Sequence, residues 1–198
     1  MALRREDRDL PALTVLALLW TGPRHTYEMQ RFVVRTHKDF VPGVPRSMYH
    51  AAERLLRDGL IAVHATDRAD GRPERTAHAL TDAGRAALHE RVRRLLATPA
   101  RDADLLVAGL SFLGCLPSAA DAVTALRERV AALDAAVADV RRGLAEAPVP
   151  RVLLIEAEFD AARLTAERNW VVGLADELTS GVLPWPDGVP AGIPDPFF

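Results

Sequence analysis

Side chains suited to holding nucleic acid gather on one side of the stretch 46–57. Arg46, Ser47, His50, Arg54 and Arg57 lie opposite Met48, Ala52, Leu55 and Leu56 on a helical wheel, with Tyr49 and Glu53 flanking. A helix inserted into a DNA groove needs donors toward its N-terminal end and an apolar back that fixes its angle. Arg46 or Arg54 suits bidentate reading of guanine, and Ser47 and Tyr49 suit phosphate contacts. A second basic group, Arg68, Arg72 and Arg75, surrounds Asp70-Gly71, as a wing reaching a minor groove or a backbone would require. Each group also has a plainer reading, an amphipathic surface helix and a solvated basic loop.

Other chemistries find no support. The chain has no Gly-rich phosphate loop, no Gly-x-Ser-x-Gly elbow and no His-Glu-x-x-His zinc motif. Ser47 and His50 are three apart without an orienting acid, so no catalytic residue is assigned and no enzyme is expected. The six histidines are scattered over several elements, and neither a metal nor a cofactor is expected. Cys115 sits in the most apolar segment, which predicts an inert buried thiol. Phe112, Phe159, Arg163 and Trp170 are the candidates for an effector pocket between C-terminal helices, a guanidinium beside rings suiting a carboxylate or phenolate. Pairing of Arg163 with Glu167 and burial of Trp170 in a dimer core are the competing readings.

The elements that would position these groups follow from periodicity and punctuation. Asp9 caps a first helix bearing Leu13, Leu16, Leu19 and Trp20, which Gly22-Pro23 ends. A second helix starts with Thr26 as cap and runs to about His37, with Met29, Phe32 and Val33 inward. Two prolines and a glycine exclude regular helix from 39–45, and the third helix stops at Gly59. Ile61, Val63 and Ala65 then alternate with Ala62, His64 and Thr66 as a half-exposed strand. Asp70-Gly71 turns the chain, 74–80 returns, and Thr81 caps a fourth helix over 82–97. Helix, helix, helix, hairpin, helix is the order of a winged helix-turn-helix.

The remainder reads as helical. The segment 105–116 is apolar nearly all round, as a buried helix is. Val123, Leu126, Val130, Leu133, Val137, Val140 and Leu144 form a heptad seam that demands a helical partner, from the same chain or another. After Pro148 and Pro150, a last helix ending near Gly181 carries Val152, Ile155, Phe159, Ala162, Ala166, Trp170 and Leu174 on one face. The tail 182–198 holds five prolines and should be extended, though Trp185, Phe197 and Phe198 are unusual for a frayed end and suggest docking over the helices.

Charge divides the chain in the same place. Residues 1–97 hold 17 Lys and Arg against 12 Asp and Glu, a surplus of five positive charges, whereas 98–198 hold 8 against 15, a surplus of seven negative ones. One half is built to meet a polyanion. The single cysteine excludes an internal disulfide, and the absence of a secretion signal or a membrane-length apolar run leads to the expectation of a cytoplasmic protein without membrane contact.

Four motifs in order carry a family resemblance over 13–88. They are Leu18-Leu19-Trp20-Thr21-Gly22-Pro23-Arg24-His25-Thr26-Tyr27-Glu28, Arg46-Ser47-Met48-Tyr49, Leu55-Leu56-Arg57-Asp58-Gly59-Leu60-Ile61, and Leu80-Thr81-Asp82-Ala83-Gly84-Arg85. The stretch resembles the PadR family of bacterial regulators. Two departures stand out: Thr26 where the family usually has Gly, and Phe40-Val41 before Pro42 where it usually has Trp. The resemblance implies a dimer, mostly a repressor, with the third helix in the major groove and Tyr27, Ser47 and Tyr49 at the DNA backbone. The long C-terminal part resembles the larger subfamily, whose terminal helices pair between subunits.

The expectation is therefore a mainly α protein. Residues 1–97 form a winged helix-turn-helix with a small β-hairpin wing, 98–181 a helical dimerisation and effector domain, and 182–198 a Pro-rich tail. Its partners would be two-fold related double-stranded operator DNA, a second copy, and a small aromatic effector. The alternatives are an effector-independent regulator controlled by a protein partner, and a winged-helix protein-interaction module.

Overall fold

The computed structural model describes residues 2–67 and 75–186. Asp9 caps α1 (Leu10–Leu19) by accepting from the Ala12 amide at 3.2 Å. This helix is buried on all sides and forms the axis of the N-terminal half. A two-residue strand, β1 (Arg24–His25), leads into α2 (Thr26–Arg35), with His25 rather than Thr26 at the cap position. The His25 amide donates to Glu28 at 3.0 Å, so the acid three residues on secures the helix start. The helix ends two residues earlier than its spacing suggests, because His37 turns to φ 47° and carries the chain into the 39–45 loop.

Helix α3 (Arg46–Arg57) buries Met48, Ala51, Ala52 and Leu55, chiefly against α1. Gly59, at φ 72°, reverses the chain into β2 (Ile61–Asp67), which pairs antiparallel with β3 (Arg75–Leu80). Strand β3 is central, in the order β1-β3-β2. The two-residue β1 was too short to leave a periodic signal. The alternation expected in β2 fails beyond Ile61: Val63 and Ala65 are both exposed. An irregularity between Val63 and Ala65 shifts the register as the strand runs out past the core.

Helix α4 (Asp82–Ala97) starts on Thr81, whose hydroxyl accepts from the Gly84 amide at 3.0 Å and donates to the Gly59 carbonyl at 2.8 Å. The first turn of α4 lies so close to the end of the α3 turn that a Cβ at Gly84 would sit 1.9 Å from the Leu60 carbonyl oxygen. Backbone cannot yield as a side-chain tip can. Gly84→Ala is expected to cost about 2–4 kcal/mol, read as a lowered urea midpoint; an unchanged midpoint would mean α4 can be re-seated freely.

The C-terminal half comprises α5 (Ala103–Ser111), α6 (Ala119–Glu146) and α7 (Ile155–Ser180). The 105–116 segment is not one helix: α5 stops at Ser111 and a 3-10 turn, Leu113–Cys115, follows. Leu133 and Val137 of the α6 seam pack on Leu164 of α7 within the same chain, while its N-terminal part joins the main core. One contiguous apolar cluster runs from Leu10 of α1 to Leu178 of α7.

Two buried arginines organise the core, one within the N-terminal half and one between the halves. Arg94 of α4 forms a bidentate pair with Asp7, at 2.7–2.9 Å, and pins the N-terminal turn Arg5–Arg8. Arg129 of α6, 1% exposed, donates to the Leu95, Leu96 and Thr98 carbonyls at 3.1, 3.3 and 2.9 Å and to Glu167 of α7 at 2.7 Å. Burial pushes the Arg129 guanidinium below its ordinary range and the Glu167 carboxylate pulls it back up.

The face of α7 picked out by its spacing is mostly exposed within the chain. Its buried residues are Ala161, Leu164, Val171, Ala175 and Leu178, whereas Ile155, Phe159, Ala162, Ala166 and Trp170 are exposed and Val152 precedes the helix in a 3-10 turn. Both faces are apolar, so periodicity alone had no means of choosing between them. Of the tail, Trp185 packs against the main core and the Leu183 amide donates to Glu177 at 3.2 Å; Phe197 and Phe198 lie outside the described residues.

Candidate nucleic-acid interface

The solvent side of α3 is a ridge of Arg46, His50, Glu53 and Arg57, spaced 4, 3 and 4 residues apart and all exposed. Arg46 and Arg57 are held by no ion pair among the described residues. His50 lies 3.6 Å from Glu53, so the acid at the ridge centre offsets part of the charge there when the imidazole is protonated. On one flank Tyr49, 45% exposed, faces Tyr27 of α2, 50% exposed, across a cleft of about 690 Å³. Arg31 of α2 stacks over the Tyr27 ring at 5.7 Å and lines the same cleft. Val63 and Leu56 supply its apolar floor, and His25 and His78 close it on the sheet side. Burial, and then the neighbouring His25, push the His78 imidazole below its ordinary range.

Two of the sequence-derived residues are turned to other tasks. Arg54 does not project with Arg46; its guanidinium donates to Asp9 at 2.7 Å, fastening the flank of α3 to the cap of α1. The Ser47 hydroxyl is shielded from solvent and has no hydrogen-bond partner among the described groups. It sits beneath the 39–45 loop, and its amide donates to the Gly43 carbonyl at 3.1 Å. Phosphate cannot reach that hydroxyl without movement of the loop. Arg68 and Arg72 lie outside the described residues, as does the Arg75 side chain; the Arg75 main chain pairs with Asp67.

Arg57 was placed on the polar face but given no DNA contact, and Arg31 was absent from the candidate set. The first closes the C-terminal end of the ridge, recognisable as the fourth member of the 46, 50, 53, 57 series. The second lies one turn after Tyr27 on α2.

The four candidate effector residues do not form one pocket within the chain. Phe112 is buried against Phe40, ring centroids 5.9 Å apart at 85°, in the core beneath the α2–α3 loop. Lys38 places its ammonium 5.3 Å from the Phe112 ring, 5.8 Å from Phe40 and 5.9 Å from Phe32. Cys115 is nearby and buried, its thiol pushed up to about 12 by burial, which is the inert thiol expected. Phe159 and Arg163 share a separate cleft of about 420 Å³ with Arg101, Val140 and Glu156. Arg163 is engaged by Asp160 at 2.9 Å and Glu167 at 3.7 Å. Trp170 stands 55% exposed further along α7. Among the described residues no group of His, Cys, Asp and Glu is placed to hold a metal ion, and no helix is long and apolar enough to cross a membrane.

A buried α1, a ridge helix presented by a loop, and an antiparallel wing packed on α4 define a winged helix-turn-helix. Residues 15–90 match the model of the Transcriptional regulator PadR-like family. Similar solved structures include Bacillus subtilis PadR in complex with operator DNA, 21% identical over 85% of this chain and 97% of that one, with a TM-score of 0.41. The same Bacillus subtilis protein with p-coumaric acid is 18% identical over 86% and 99%, with a TM-score of 0.38. A PadR-like regulator of Bacillus cereus is 18% identical over 88% and 98%, with a TM-score of 0.35. Comparison with curated proteins gives no sequence match.

Proposed function

We propose that the chain is a homodimeric repressor whose two α3 ridges enter major grooves of a two-fold related operator, with half-sites about one helical turn apart. The single observation that carries this reading is the ridge itself: Arg46 and Arg57 project from a helix whose other side is anchored in the core. Tyr27, Tyr49 and Arg31 then meet the sugar-phosphate backbone beside it, and His50 lies within reach of base edges. Arg68, Arg72 and Arg75 serve the wing contact. Residues 1–97 read the DNA and 98–181 hold the dimer.

A small aromatic acid is the proposed releasing signal. Its site is the Phe159–Arg163 cleft, where a ring can lie on Phe159 and a carboxylate can take the guanidinium from Asp160. The test is a mobility shift on DNA upstream of the chain's own gene, titrated with salt and with aromatic acids including p-coumaric acid. A specific shift that weakens steeply with salt, and that one acid abolishes, is the expected result. A shift that no acid affects removes the effector from the reading and favours control by a partner protein. A salt-insensitive association, or none, overturns the DNA-binding mode in favour of a protein-interaction module.

A further inference from the structure

The ridge of α3 has two flanks, and the cleft between Tyr27 and Tyr49 occupies one of them. At about 100° per residue Tyr49 lies about 70° round from the centre of the ridge, and Arg54 lies about 70° round on the other side. Beyond Arg54 opens a second cleft, of about 790 Å³, bounded by α3, by the N-terminal turn Arg5–Arg8 and by Arg91 of α4. Segments far apart in sequence thus bring four guanidiniums to one place. Arg54 is held there by Asp9. Arg5, Arg8 and Arg91 make no ion pair among the described residues.

Two of the acids lining this cleft are already engaged. Asp9 caps α1 and holds Arg54, and Glu6 meets Arg94 at 3.2 Å. That leaves Asp58, exposed to water, as the one lining acid without an ion pair among the described residues. The frame is also fixed. Asp7, between Arg5 and Arg8, is 0% exposed, with its carboxylate on Arg94 at 2.7–2.9 Å and on the Arg4 amide at 2.7 Å. The two arginines therefore stand on a turn anchored in the core, and a surplus of positive charge on a fixed frame suits an anion.

We propose that Arg5, Arg8 and Arg91 hold backbone phosphates of the DNA strand opposite the one met by Tyr27, Tyr49 and Arg31. The clamp rests on the docking of α3 proposed above. A helix with its side chains is about 10–12 Å across and the major groove about 12 Å wide, so both flanks of an inserted helix lie against a phosphate wall. One wall meets the tyrosine cleft, and the other meets the arginine cleft. Guanidinium forks match phosphate oxygens, and such contacts set register and affinity without reading sequence.

The test is fluorescence anisotropy of the full chain, across a salt series, on the operator and on a duplex of arbitrary sequence. The triple variant Arg5→Ala, Arg8→Ala, Arg91→Ala is expected to lower the slope of log affinity against log salt by about 2.7, at about 0.9 per phosphate. Both duplexes should lose the same factor in affinity, and circular dichroism should be unchanged. Arg127→Ala, at an exposed arginine of α6, controls for net charge and should leave the slope as it is. Single methylphosphonates along the operator should place the phosphates lost by the triple variant on the strand opposite those lost by Tyr49→Phe. A wild-type slope in the triple variant, or one strand for both sets, overturns the clamp and leaves the ridge standing. If sodium triphosphate binds the wild type but not the triple variant while their duplex slopes agree, the cleft takes a free polyphosphate and the strand assignment falls. A wild-type chain that binds neither duplex in a salt-dependent way overturns the DNA reading together with the clamp.

Discussion

Arg57→Ala will weaken binding to the cognate operator about 5- to 150-fold, the range for losing one good bidentate base contact. Arg46→Ala will do the same, and neither will lower thermal stability, because both side chains are exposed and unpaired by any described acid. Arg54→Ala is the informative contrast. Its guanidinium is already spent on Asp9 at 2.7 Å, so its loss will cost about 0–1 kcal/mol of stability and little affinity. The measurement is a fluorescence-anisotropy titration of each variant on the same duplex at fixed salt. If Arg54→Ala lost more affinity than Arg57→Ala, α3 would have to dock on its other flank, and the ridge would be wrong.

Arg129→Met will be the most destabilising single change outside the apolar core. Truncation strands the Leu95, Leu96 and Thr98 carbonyls, three acceptors at the end of α4, and leaves the Glu167 carboxylate only its longer contact with Arg163 at 3.7 Å. Breaking a buried pair from one side costs about 3–5 kcal/mol, a large part of the roughly 5–15 kcal/mol that holds an ordinary domain folded. Arg129→Lys will recover only part of it, since a single ammonium cannot span a fork-shaped set of four acceptors. Adding Glu167→Gln to Arg129→Met will return a fraction by removing the stranded charge. Urea unfolding of the three variants checks the order. A loss under 1 kcal/mol for Arg129→Met would mean that water replaces the guanidinium freely, and that the α4–α6–α7 junction is not dry.

Much of the frame was legible because local chemistry sets it. Asp9, Thr81 and Gly59 mark element ends by capping and by backbone freedom, and those ends lie where the residues place them. What a helical wheel supplies is a direction, not an occupant. Arg54 and Ser47 point away from the apolar side, yet one meets an aspartate 45 residues upstream and the other lies beneath a loop. Neither neighbour leaves a trace in the periodicity of 46–57. Helix α7 was incompletely legible for a different reason: it has two apolar faces, and the sequence does not say which of them packs within the same chain. Phe112 was grouped with Phe159 and Trp170 because all are aromatic residues of the C-terminal half. The fold sends it instead under the loop that presents α3.

That placement sets Lys38 apart. It is the only lysine in the chain, and its ammonium rests over rings from α2, the α2–α3 loop and the end of α5 at once. Burial lowers its proton affinity, and the one side-chain amine available for acylation marks the seam between the N-terminal and C-terminal halves. Its rate of modification becomes a clock for how often that seam opens. Where opening is fast compared with acylation, that rate follows the open population, so any ligand that binds the shut seam more tightly will slow the clock.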